Sequence, residues 1–379
     1  MPRSNARLLC TFSFRPFSVV FNRLLEVYPS SAIDDDDRRK KRDAIQKYSD
    51  FPAQGYGGSN GYGLGKLEKS VGTIDFSKKS AIGRKLAKLA TGGPRRRKTS
   101  MQKLVFETLN VRNEGAVLFV EISAPPMNLN GPELVRDLVS LIQQAEADEA
   151  VQVLVFKSAD PDYFISHVDV TRIKENRAEA AKLNGDPSIG QLYRHLSASR
   201  LVSIAQIEGR VRGVGSEFVL ACDMRFAARE SAIFSQFEPS FGVIPGAGGA
   251  QHLARLMGRG RALEVMLSAQ DYDADLAERY GWINRALPAA ELDDFVRSLA
   301  HRIAKFPAAG HAVVKERVNA LTLPTVEDIR RDSDLFLEGT RAAEFQVLTQ
   351  AAMKRGFQTR EAEMDLAKLV SEMQSKTDE

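Results

Sequence analysis

Cysteine is nearly missing from this chain: Cys10 and Cys222 are the only two among 379 residues. Two thiols without metal-ligand spacing exclude a disulfide framework and a cysteine-held metal. Cys222 closes the apolar run 218–222, where a buried, reduced thiol is expected, and the chain reads as intracellular. No stretch of about 18 consecutive apolar residues occurs, so no membrane-spanning helix is expected. Histidine is scarce, at positions 167, 195, 252, 301 and 311, and none of the five forms an HExxH pair. No GxSxG elbow offers a nucleophilic serine. Zinc hydrolysis and serine hydrolysis therefore lack their motifs, and no metal site is expected.

Acidic residues are missing from the first 25 positions, which hold Arg3, Arg7, Arg15, Arg23 and several serines. That composition is the one of a mitochondrial transit peptide; a chance basic start on a cytoplasmic protein is the alternative. Residues 1–100 carry 21 Lys/Arg against 9 Asp/Glu, which leaves 32 and 40 for the remainder. Two differently built segments are joined. Between 34 and 98 an acidic run, two basic clusters and a Gly/Tyr/Ser stretch bury too little apolar surface to offset chain entropy. Residues 1–100 are accordingly read as a disordered basic extension whose charge is solvated, with no nucleic-acid partner expected. The glycine-rich segment 61–66 is not a P-loop, because Asn60 and Leu67 stand at positions that motif needs as Gly and Ser/Thr.

After Met101 the periodicity changes. Residues 103–109, 116–123, 151–156, 202–207 and 224–228 read as strands, and 134–147, 215–222 and 253–267 as helices. Strands alternating with helices predict an α/β core with buried parallel strands over 101–290. From 291 to 379 only helical patterns follow, which predicts a C-terminal helical module. Its apolar positions Leu292, Phe295, Leu299 and Ile303 fit burial at a subunit interface or against their own domain.

Three segments carry candidate chemistry: a polar turn, 163–169 (YFISHVD); a glycine-bearing turn into a helix, 208–217 (EGRVRGVGSE); and 234–239 (FSQFEP) followed by 242–249 (GVIPGAGG). Gly213 and Gly215 let backbone approach a ligand, and a helix start presents unpaired N–H groups to a developing oxyanion. Glu217 lies one helical turn past Val214 among apolar neighbours, a setting that raises a carboxylate pKa. Pro239 is expected to keep Glu238 extended. Singly, Glu217 reads equally as a solvated helix residue, and Glu238 more often as a loop carboxylate. Two of them beside one N–H donor point to general acid–base chemistry.

With segments 125–130 (PPMNLN) and 221–225 (ACDMR), these stretches resemble the crotonase superfamily in order across about residues 103–290. The resemblance implies a crotonase-like spiral of ββα units and an oxyanion hole from the backbone N–H groups of Val168 and Val214. It implies Glu217 and Glu238 as the catalytic pair, with Ser166, His167, Asp169, Gly213, Gly215 and Gly246 around the substrate. Gly246 would stand at a helix start and position water. The implied reaction adds water to a 2-enoyl-CoA; double-bond isomerase, dehydratase or hydrolase chemistry and a non-catalytic scaffold are the alternatives. No cofactor is implied beyond the coenzyme A of the substrate, and the assembly implied is a homotrimer or pair of trimers. His167 and Val168 depart from the family's Gly-Ala, Val214 replaces the middle of three glycines, and 354–359 (KRGFQT) differs from the usual C-terminal ending.

Overall fold

The computed structural model describes residues 105–374, so the expected transit peptide, the expected disordered extension and the 61–66 segment lie outside the described residues. Strands β1 (Leu109–Glu114) and β2 (Val117–Ile122) form an antiparallel hairpin about Gly115. The first strand begins six residues later than the pattern 103–109 predicts. Asp137 Oδ2 accepts the amides of Glu107 at 2.8 Å and Thr108 at 2.7 Å, so these two N–H groups serve a side chain rather than a strand partner. Helix α1 (Pro132–Ala147), which carries Asp137, leads into β3 (Val153–Ser158) and then the short β4 (Tyr163–Ile165).

From there the pattern repeats. Helices α2 (Ile173–Asn184) and α3 (Ile189–Ala198) precede β5 (Val202–Ile207) and β6 (Arg210–Arg212), then α4 (Val214–Ala221) precedes β7 (Met224–Ala228) and β8 (Ile233–Ser235). β3, β5 and β7 add in parallel to one sheet, while β4, β6 and β8 add in parallel to a second. Each turn of the chain thus contributes a long strand, a short strand and a helix, which is the spiral expected. Helices α5 (Gly249–Met257) and α6 (Arg259–Ser268) follow, with β9 (Tyr272–Asp273), α7 (Ala274–Tyr280) and β10 (Arg285–Leu287) closing the sheets. The larger sheet runs β1-β2-β3-β5-β7-β10 and the smaller β4-β6-β8-β9. The pattern 253–267 predicts one helix where two form, because Gly258, at φ +78°, ends α5 and begins α6.

Period-two alternation explains the continuous apolar runs of β3 and β5. Leu154, Phe156, Ala205 and Ile207 point into the main core with α1, α3 and α4. Val153, Val155, Val202 and Ile204 point the other way, onto α8 (Ala289–Ala304), whose Leu292, Val296 and Ala300 are one turn apart. Both faces are covered, so neither needs polar residues. Phe295, Leu299 and Ile303 pack against the same sheet face.

Four more helices precede the end of the described chain: α9 (Ala308–Thr322), α10 (Val326–Thr340), α11 (Ala343–Lys354) and α13 (Leu366–Gln374), with the single turn α12 (Arg360–Glu363) between the last two. Phe345, Leu348 and Ala352 of α11 and Leu366, Leu369 and Val370 of α13 form a second apolar cluster with Phe237, Phe241 and Phe357. α9 buries none of its residues. Among the described residues no helix is long and apolar enough to cross a membrane.

One contact locks α4 to the short sheet. A Cβ on Gly215 would lie 2.2 Å from the carbonyl oxygen of Ile165. Gly215→Ala is therefore expected to destabilise the fold by about 1–3 kcal/mol, the usual cost of forcing an extra carbon into packed backbone. Urea denaturation measures it; an unchanged midpoint would show that α4 shifts without cost.

Candidate functional site

The short sheet and α4 bring the three sequence segments to one place. Gly213 turns the chain from β6 into α4 with φ +51° and ψ −126°, a left-handed conformation that disfavours side chains. A Cβ there would also meet Phe237 at 3.2 Å, Glu238 Oε1 at 3.3 Å and His167 at 3.4 Å. Val214 is the first residue of α4, so its N–H has no partner within the helix. Val168 pairs with Asn130 through its neighbours: His167 O accepts Asn130 N–H, and Asp169 N–H donates to Asn130 O. The Val168 and Val214 amides have no acceptor among the described residues, and both residues line one pocket with Glu217 and Glu238.

That pocket encloses about 760 Å³ of unfilled space, its mouth included. Glu217 is 2% exposed and Glu238 8%. Glu217 Oε1 accepts the amides of Ala247 at 2.7 Å and Gly249 at 2.8 Å, where the chain enters α5. Glu238 Oε1 and Oε2 accept Gln236 Nε2 at 2.8 and 3.0 Å. Loss of water raises both pKa values: Glu238 to about 7, and Glu217 well above the carboxylate range, where the neighbouring Glu238 charge adds to the effect. The hydrogen bonds each accepts oppose that rise without cancelling it. Two such groups titrate as a pair.

Glu238 opens a 3₁₀ turn (Glu238–Phe241) rather than lying extended. Pro239 occupies the second position of that turn, where its fixed φ fits and its missing N–H has no partner to lose. Gly246 lines the pocket but precedes the helix start, which falls at Gly249. A Cβ on Gly246 would lie 2.6 Å from Phe336 Cβ, so the glycine admits α10. Of the other positions singled out, His167 and Gly213 line the pocket and Ser166, Asp169 and Gly215 do not. Ser166 is fully buried without a partner for its hydroxyl among the described residues, and Asp169 Oδ1 accepts from Thr171 and Gln358.

His167 is tied on both sides. Nδ1 lies 2.7 Å from Val168 O, and a carbonyl can only accept, so Nδ1 carries hydrogen. Nε2 lies 2.6 Å from Glu363 Oε1 of α12, both side chains being sealed from solvent. The ring stacks on Phe357 at 4.6 Å with the planes 3° apart. The histidine that replaces glycine thereby clamps the C-terminal segment onto the turn presenting the Val168 amide. Asn176, Arg177 and the wall of Phe241, Phe336, Phe345 and Phe357 line the pocket too, and Gln236 holds Glu238 from behind it; none was legible as part of the site. Gln236 alone left a signal, a polar residue two places before Glu238 at the end of an apolar strand.

Raised carboxylates destabilise the folded state as they ionise. The folded chain holds a proton on Glu238 between about pH 4.5 and 7 that the unfolded chain has released, so stability falls as pH rises through that window. Glu238→Gln cannot ionise, and relative to the parent it is expected to gain stability across the window, on the order of 3 kcal/mol. Denaturation midpoints at pH 5 and pH 8 test it; a constant difference between the two proteins would refute the raised pKa.

The sequence profile described as Enoyl-CoA hydratase/isomerase matches residues 112–361. The short-chain-enoyl-CoA hydratase of Clostridium acetobutylicum is 29% identical over 212 residues, 55% of this chain and 80% of that one. A solved Streptomyces avermitilis structure grouped with the enoyl-CoA hydratases is 50% identical, covers 71% of this chain and 98% of its own, and superposes with a TM-score of 0.70. An enoyl-CoA hydratase structure from Mycobacterium avium subsp. paratuberculosis is 25% identical, covers 66% and 97%, and reaches 0.58. With the spiral of ββα units and the profile match over more than half its length, the chain belongs to the enoyl-CoA hydratase/isomerase family, the crotonases.

Proposed function

We propose that the protein is an enoyl-CoA hydratase. Membership of the family implies acyl-CoA thioester substrates. The observation that carries the finer reading is the pair Glu217 and Glu238, both buried in the pocket lined by the two valines whose amides lack acceptors among the described residues. In this reading the thioester oxygen takes the Val168 and Val214 N–H groups, which stabilise the negative charge that develops there. The pair shares one proton, and the reactive form is the one in which Glu238 holds it and Glu217, whose Oε1 accepts two amides, is ionised; the water oxygen bonds to the β-carbon and gives one proton to that carboxylate. Glu238 gives its proton to the α-carbon, and a pKa of about 7 suits a group that must both hold and release a proton at neutral pH. The electron pair of the double bond passes through the enolate to the new C–H bond, and the 3-hydroxyacyl-CoA leaves.

Glu217→Gln and Glu238→Gln are each expected to lower hydration of a 2-enoyl-CoA by about 10²–10⁴-fold. The double variant should be little worse than the worse single one, because the two act as a unit. Loss of absorbance of the conjugated thioester measures this. An isomerase or thioester hydrolase would tolerate one of the two changes, and near-parental hydration by either single variant would remove the mechanism.

A homo-oligomer, a trimer or pair of trimers, is part of the same reading. What supports it is α9, where Val314, Val318 and Leu321 follow one helical face and are 63, 52 and 85% exposed. Light scattering is expected to return a multiple of the chain mass, and Val314→Glu with Leu321→Glu to lower it. A parent that scatters as a monomer at micromolar concentration would refute the assembly.

A further inference from the structure

The pocket that holds the two glutamates has a third charged side chain for which the hydration step has no use. Arg177, on α2, lines it. Its Nη1 donates to Ser333 Oγ of α10 at 2.8 Å, and the guanidinium makes no ion pair among the described residues. Of the acids near enough to act on its charge, Asp186 is taken by Arg330 at 2.9 Å and Asp334 stands beyond pairing distance. A guanidinium carries five N–H donors in a planar fork, so most of this one's capacity is unused. Its surroundings also resist its charge, since burial lowers its pKa. The preceding residue, Asn176, is 1% exposed; its Nδ2 donates to Asn130 O at 2.7 Å and its Oδ1 has no partner among the described residues. Val170, Ile173, Ile189, Phe241 and Phe336 give the pocket that both residues line a largely apolar wall.

A cation left half-buried and unpaired in an apolar wall is costly unless a ligand brings the counter-charge. We propose that Arg177 receives a carboxylate at the far end of the acyl chain, so that the substrates are CoA thioesters of dicarboxylic acids. This rests on the acyl-CoA reading of the pocket and names its substrate class. The same fork would fit the phosphates of coenzyme A. The acyl carboxylate is the better match, because one arginine in an aromatic wall suits an alkyl chain with a single anionic end, whereas a polyphosphate needs several donors.

The test is calorimetric binding of saturated thioesters to the full chain, which reads recognition whether or not the protein hydrates anything. Glutaryl-, adipyl- and pimeloyl-CoA are compared with pentanoyl-, hexanoyl- and heptanoyl-CoA. At one or more lengths the dicarboxylic member is expected to bind about tenfold more tightly, as a well-placed charge-assisted fork allows. Arg177→Leu is expected to erase that preference and Arg177→Lys to keep part of it. Equal or weaker binding of the dicarboxylic member by the parent at every length would overturn the proposal without reference to any variant. Equal losses for both members of each pair on Arg177→Leu would assign the cation to the phosphates and overturn it too. Failure of all six thioesters to bind would overturn it together with the acyl-CoA reading beneath it.

Discussion

A carboxylate sealed from water has to be held by donors, and the two amides that hold Glu217 organise the rest of the site. The Ala247 and Gly249 N–H groups reach Glu217 Oε1 only if the segment from Glu238 to Gly249 folds back over α4. That return brings Glu238 into the same pocket and sets Gly246 against Phe336. It also needs α4 to sit hard on β4, which the missing Cβ of Gly215 permits. The polar pair and the backbone packing are therefore one constraint. A side chain at 215 or 246 would move the glutamates before it touched a substrate.

Dryness is what gives the pair its chemistry. In water both carboxylates would ionise well below neutrality; in this pocket burial raises both, and Glu238 comes to about 7. The C-terminal helices supply that dryness, because Phe336 of α10 and Phe345 of α11 stand with Phe357 in the pocket wall. His167 fixes this cover through its contact with Glu363, and Arg360 adds ion pairs with Asp160 and Asp162 beside β4. The segment after residue 290 thus serves the site as well as the fold.

Not every buried charge is a functional one. Arg225, in the stretch that helped the resemblance, donates to the carbonyls of Cys222 and Trp282, satisfying the end of α4 and the turn before β10. Asp223 accepts Ser203 N–H at 2.8 Å and pairs with Lys315 of α9 at 2.7 Å. Arg212 is fully buried yet forks onto Asp271 and also donates to Glu363 O. Each of these groups makes two or more hydrogen bonds within the chain, whereas Arg177 makes the single bond to Ser333 among the described residues.

Long apolar strands and the order of the glycine-bearing turns were legible because they are local. β5 and β7 have the bounds that hydrophobic periodicity gives, and Gly213, Val214, Glu217 and Glu238 could be named from the glycine-bearing turns taken together with the crotonase resemblance. The three-residue strands β4, β6 and β8 are too short to show a period, and α2 has only Asn176 and Ala180 buried, so its polar pattern hid it. The sequence by itself determined which segments carry the chemistry. Only the tertiary structure decided that Glu363, 196 residues from His167, would lie against it, and that α10 and α11 would wall the pocket. Such contacts depend on packing between distant elements, and no spacing along the chain encodes the distance between side chains that meet only on folding.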